Sequence, residues 1–99
     1  MSTESDPLIR QLREELADND VRIVEAINAR LQLVARLKQV KEEHGIAFFD
    51  PAREEWLLQH LTQANRGPLS AGGLRKILSE LLDLTKREVG RSDVGASGS

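Results

Sequence analysis

The amino-acid sequence predicts an all-α protein with three helices per chain, one of them very long, and two observations carry that prediction. After Pro7 no glycine or proline occurs until Gly45, and apolar residues recur through this stretch at helical spacing. Two shorter segments with the same periodicity follow, each opened by a residue suited to capping a helix. No segment shows the apolar–polar alternation of a half-buried strand, and no internal repeat is visible.

Residues 1–6 read as a polar, flexible leader, with Asp6 as the N-cap of the first helix. Pro7 stands at its first position, where a missing N–H costs little. This helix runs to His44, which at 1.5 Å per residue is about 55 Å, and Gly45 ends it as a C′ glycine. Its apolar stripe is Leu12, Leu16, Ile23, Ile27, Val34 and Leu37. A loop from Ile46 to Phe49 leads to Asp50-Pro51, again an N-cap followed by a first-position proline. The second helix reaches Ala64, with Leu57, Leu58 and Leu61 on its apolar face. Asn65-Arg66-Gly67-Pro68 is a stop and turn. Ser70 caps a third helix carrying Leu74, Ile77, Leu78, Leu81 and Leu82, whose first turn is weakened by Gly72 and Gly73. From Gly90 the sequence is rich in serine and glycine without periodicity, so residues 91–99 are expected to be a disordered tail and 7–90 the folded domain.

Ninety-nine residues make one small domain. With no cysteine and 3% aromatic residues, disulfides are excluded and stability must come from helix packing. A helix of about 55 Å is longer than an 11.0 kDa globule is wide, so its stripe cannot be covered by two short helices of the same chain, and a second subunit is expected. The net charge of −2 gives no global nucleic-acid footprint, which leaves local basic patches open. No apolar run approaches the roughly 18 residues of a membrane span, and no signal peptide leads the chain. The expected compartment is the cytoplasm.

The stripe of the first helix carries two charges. Arg30 falls between Ile27 and Val34, and Lys41 lies one turn past Leu37. Their separation of 11 residues is about three turns, so both point the same way, about 16 Å apart along the axis. An unpaired cation is costly to desolvate, so something anionic is expected to meet them. The plainer reading is that both snorkel from the seam edge or pair with acids of another helix. Arg13 lies about 25 Å from Arg30 and faces roughly 100° away. One straight helix cannot bring both to one small ligand, whereas an antiparallel second copy would deliver Arg13 to a pocket holding Arg30 and Lys41. Arg53 and Glu54 open the second helix just past the loop that returns the chain, and so fold back toward Lys41. Thr85 sits on the apolar side of the third helix, one turn after Leu81.

Leu12-Arg13-Glu14-Glu15-Leu16 with Asp20, followed by Arg30, Lys41 and Asp50-Pro51-Ala52-Arg53-Glu54, resembles the all-helical class of chorismate mutases over about Pro7 to Val89. No single element is specific, but the ordered set with its spacings is. The resemblance implies an intertwined homodimer of three-helix chains with two sites, each built from both subunits. It implies the pericyclic rearrangement of chorismate to prephenate in aromatic amino acid (Phe/Tyr) biosynthesis, with no metal, cofactor or covalent intermediate. By the family pattern, Arg13 of the partner subunit and Arg30 bind substrate carboxylates, with Arg53 assisting. Lys41 reaches a carboxylate and the ether oxygen of the breaking C–O bond, while Glu54 and the backbone at Asp50 hold the ring hydroxyl. Thr85 stands where the family often has serine. Four residues later the family usually carries Gln or Glu against the ether oxygen. Here Val89 occupies that place, with Glu88 one position earlier. Either the last helix shifts so that Glu88 joins Lys41 and Arg30 as a catalytic group, or the ether contact is missing. A Glu88 that donates must be protonated, and activity should then rise at lower pH.

These residue types suit the chemistry. A small dianion is matched by arginine forks, and a unimolecular rearrangement needs a compact conformer trapped and positive charge fixed at the ether oxygen. Two other functions remain open. The same fold and cationic pocket serve isochorismate pyruvate lyases, and a non-catalytic helical dimer acting as adaptor or regulatory subunit is favoured by Val89. Some small mutases of this class are activated by the enzyme that opens the shikimate pathway (DAHP synthase), so such a partner is a further expectation. Taken singly, several residues have plainer roles. Arg13 fits a solvated partner of Glu14 or Glu15, Asp50 an N-cap, and Thr85 a back-bond to its own helix. Glu88 fits a solvated acid, His44 and His60 dipole complement and surface rather than a metal pair, and Trp56 with Phe48-Phe49 a core closed around the loop.

Overall fold

The computed structural model describes residues 6–98, with side chains from 6 to 90. Three helices follow one another: α1 (Pro7–Glu43), α2 (Pro51–Ala64) and α3 (Ala71–Gly98). No strand occurs among the described residues. Of the leader expected at residues 1–6, all but Asp6 lie outside the described residues. None of the three helices is long and apolar enough to cross a membrane.

Local chemistry sets the helix ends. Asp6 Oδ1 accepts from the Leu8 and Ile9 amides at 2.8 and 3.4 Å, and Asp50 Oδ1 accepts from the Arg53 amide at 3.1 Å. Each cap precedes a proline at the first helical position. Ser70 Oγ accepts from the Gly73 amide at 3.0 Å and starts α3. Asn65 closes α2 and braces the turn after it, donating through Nδ2 to Leu69 O at 2.8 Å and accepting from the Gly67 amide at 3.0 Å. The end of α1 is a Schellman closure. Ile46 N–H returns to Lys41 O at 2.8 Å and Gly45 N–H to Glu42 O at 3.2 Å, with Gly45 at φ 65°. A Cβ built at Gly45 meets nothing within 4 Å, so only the left-handed backbone excludes other residues there. Gly45→Ala should therefore cost about 1–2 kcal/mol of stability, read as a lowered midpoint in urea with an unchanged slope.

The chain divides into two units, Met1–Leu33 and Val34–Ser99. The first holds the N-terminal part of α1, where Leu12, Leu16 and Ile23 remain 49%, 62% and 50% exposed. The second holds the end of α1 with α2 and α3, and α2 packs on α3. Leu78, Thr85 and Val89 form the buried face of α3, spaced seven and four residues apart as one helical face requires. Leu57, Leu58 and Leu61 of α2 are half-buried.

Two expectations need correction. Ile77 is 55% exposed, on the flank of α3 and off its packed face. Trp56 and Phe49 do not close a core, being 45% and 56% exposed. The backbone of α3 runs helically to Gly98.

Candidate active site

In the second unit, Lys41 in the last turn of α1 meets the loop that leads to Asp50, and Arg53 and Glu54 follow in the first turn of α2. The Schellman closure turns the chain back beside Lys41, and its half-buried ammonium donates to Phe48 O at 3.2 Å. An ammonium has three protons, and this bond occupies one. Lys38 lies 5.7 Å from the Phe48 ring centroid, so α1 holds Phe48 through both its carbonyl and its ring. The Asp50 carboxylate caps α2, and its carbonyl accepts from the Glu54 amide at 3.1 Å. The Arg53 guanidinium lies 3.8 Å from the Trp56 ring centroid, and Trp56 stacks on His60 at 4.7 Å and 10°. His60 is on the surface, as expected, with the Trp56 ring against it. His44 Nδ1 donates to Val40 O at 2.8 Å at the end of α1, as dipole complement demands.

Glu54 Oε1 receives the Lys86 ammonium at 2.9 Å. Sequence reading missed Lys86, because no spacing rule relates the first turn of α2 to the middle of α3. A cavity of about 340 Å³ opens between these two helices. Pro51, Glu54, Glu55 and Leu58 line it from α2, and Arg75, Ser79, Leu82, Asp83 and Lys86 from α3. Among the sequence-predicted site residues only Glu54 reaches it.

On α3, Thr85 is 4% exposed and donates to Leu81 O at 2.7 Å, the back-bond its apolar position favours. To donate to any ligand it would have to leave Leu81. Val89 is 2% exposed and keeps helical register with Thr85, while Glu88 is half-buried beside it. Val89, more than Glu88, thus lies on the packed face of α3. In the first unit, Arg30 is half-buried and Arg13 exposed. No group of three or more His, Cys, Asp or Glu is gathered for a metal ion among the described residues.

Residues 12–89, from the Leu12-Arg13 start of the predicted motif to Val89, match the family model of chorismate mutase type II. The chain belongs to that family. It is 34% identical over 86 residues to a bifunctional chorismate mutase/prephenate dehydratase of Stutzerimonas stutzeri, covering 81% of this chain and 23% of that protein. Similarity to the T-protein of Haemophilus influenzae is 28% over 75 residues, covering 75% and 20%. The chain thus spans about a quarter or less of the length of these curated relatives. A solved chorismate mutase from Thermus thermophilus (Form II) superposes with a TM-score of 0.78 at 30% identity, over 84% of this chain and 94% of that one. Form I gives 0.75 at 31% identity, over 78% and 96%. The three-helix, strand-free fold expected from the sequence is thereby the fold of the chorismate mutases.

Proposed function

We propose that this chain is a chorismate mutase, converting chorismate to prephenate in aromatic amino acid biosynthesis in the cytoplasm. It acts as a homodimer with two sites, each drawing on both copies. The observation that carries the reading is Lys41, held half-buried against the loop that opens α2 in a chain belonging to this family over residues 12–89. Charge fixed there acts before the reaction begins, so no solvent reorganisation is needed as the C–O bond breaks. Arg30 and Arg13 of the partner subunit take the two carboxylates through paired N–H donors, and Arg53 adds positive charge. Glu54 and the Asp50 backbone hold the ring hydroxyl. Holding the enolpyruvyl chain folded over the ring turns a rare conformer into the bound one.

Val89 supports a site whose ether oxygen is served by Lys41, since a buried hydrocarbon offers no proton. The homodimer is supported by α1, which buries none of its residues in a single chain and leaves Leu12, Leu16, Ile23 and Leu37 about half exposed or more. The test is incubation of the purified protein with chorismate and, separately, with isochorismate. Loss of chorismate with acid-labile prephenate appearing is the expected result. Pyruvate from isochorismate without prephenate would replace it by the lyase. Inertness toward both, with and without the first enzyme of the shikimate pathway, would leave the adaptor.

A further inference from the structure

We propose that Lys86 is a positioning residue for Glu54, an assignment that rests on the mutase reading above. The Lys86 ammonium lies 2.9 Å from Glu54 Oε1 and 4.5 Å from the centroid of the Phe49 ring. One cation therefore joins α3 to the first turn of α2 and to the loop before it, the two segments that present Glu54 and Asp50. A glutamate side chain left alone samples many rotamers, and ordering it on binding weakens affinity. With Oε1 held by Lys86, the carboxylate keeps Oε2 as acceptor, and a ring hydroxyl is the donor it meets. The Phe49 ring confines the ammonium from another side.

Stability is not the purpose of this pair. The Lys86 and Glu54 side chains are 38% and 28% exposed, and ion pairs wetted to that degree add little to folding. Removing the ammonium thus leaves the fold and isolates its effect on Glu54. A contact that orients a group binding substrate and transition state alike changes KM and spares kcat.

The experiment compares wild type, Lys86→Met, Lys86→Arg, Glu54→Ala and the Lys86→Met/Glu54→Ala double variant, assayed with chorismate. Lys86→Met is expected to raise KM about tenfold, the ratio that a charge-assisted hydrogen bond commands, with kcat nearly unchanged. Lys86→Arg should restore most of the loss. The double variant should be no worse than Glu54→Ala alone, because the ammonium then has no carboxylate to orient. Additive effects, or a KM unmoved by Lys86→Met, would overturn the proposal while the mutase reading stands. Failure of wild type to consume chorismate would overturn both.

Discussion

Lys41→Met is expected to lower kcat by about 10²–10³, the usual loss when one pre-organised donor at a developing negative charge is removed. Methionine keeps the length of the side chain and fills similar space, so the change isolates the charge. The lost hydrogen bond to Phe48 O, at 3.2 Å and half-buried, contributes only about 0.5–1.5 kcal/mol to stability. The variant should therefore fold, and thermal unfolding alongside steady-state kinetics will show whether it does. KM should move much less than kcat, because the ether oxygen becomes more negative only as the bond breaks. Full activity in Lys41→Met would remove the ammonium from the reaction.

Leu16→Asp should convert the protein to monomers in sedimentation velocity and abolish turnover. In one chain Leu16 is 62% exposed, and an aspartate at such a surface position ordinarily changes stability by no more than about 0.5 kcal/mol. Buried between two subunits, the same carboxylate must be desolvated without a partner, which costs several kcal/mol. One substitution thus gives opposite answers for a lone chain and for a dimer. Loss of turnover follows because Arg13 of the partner subunit goes with the interface. A monomeric variant that keeps wild-type kcat would show that one chain suffices for the reaction.

Helix boundaries were legible because capping is local. Asp6-Pro7, Asp50-Pro51 and Ser70 each place an oxygen within reach of amides two or three residues on, and Gly45 supplies the backbone that a Schellman closure requires. The face of α3 was legible in part. Periodicity located Leu78 and Thr85 on the packed side but also admitted Ile77, which lies on the flank. A hydrophobic stripe is wider than the strip that a neighbouring helix covers. Aromatic residues misled for a related reason, since Trp56 has uses on the surface: it accepts the Arg53 cation on its ring and stacks on His60.

Within the second unit, the contact of Lys41 with the loop before α2 was readable because a short connection joins the helices on either side. Lys86 was not, because its partner Glu54 comes from a different helix and meets it only when α2 and α3 pack. By itself the sequence determined the three helices, their capped starts and the order of the cationic residues, all of which follow from spacing along the chain and hydrogen bonds between near neighbours. Only the tertiary structure decided that Val89, not Glu88, turns inward with Thr85, that Thr85 gives its proton to Leu81, and that Lys86 holds Glu54. Those outcomes depend on the rotation of α3 against its neighbours, and rotation is set by side-chain packing between elements that periodicity describes one at a time.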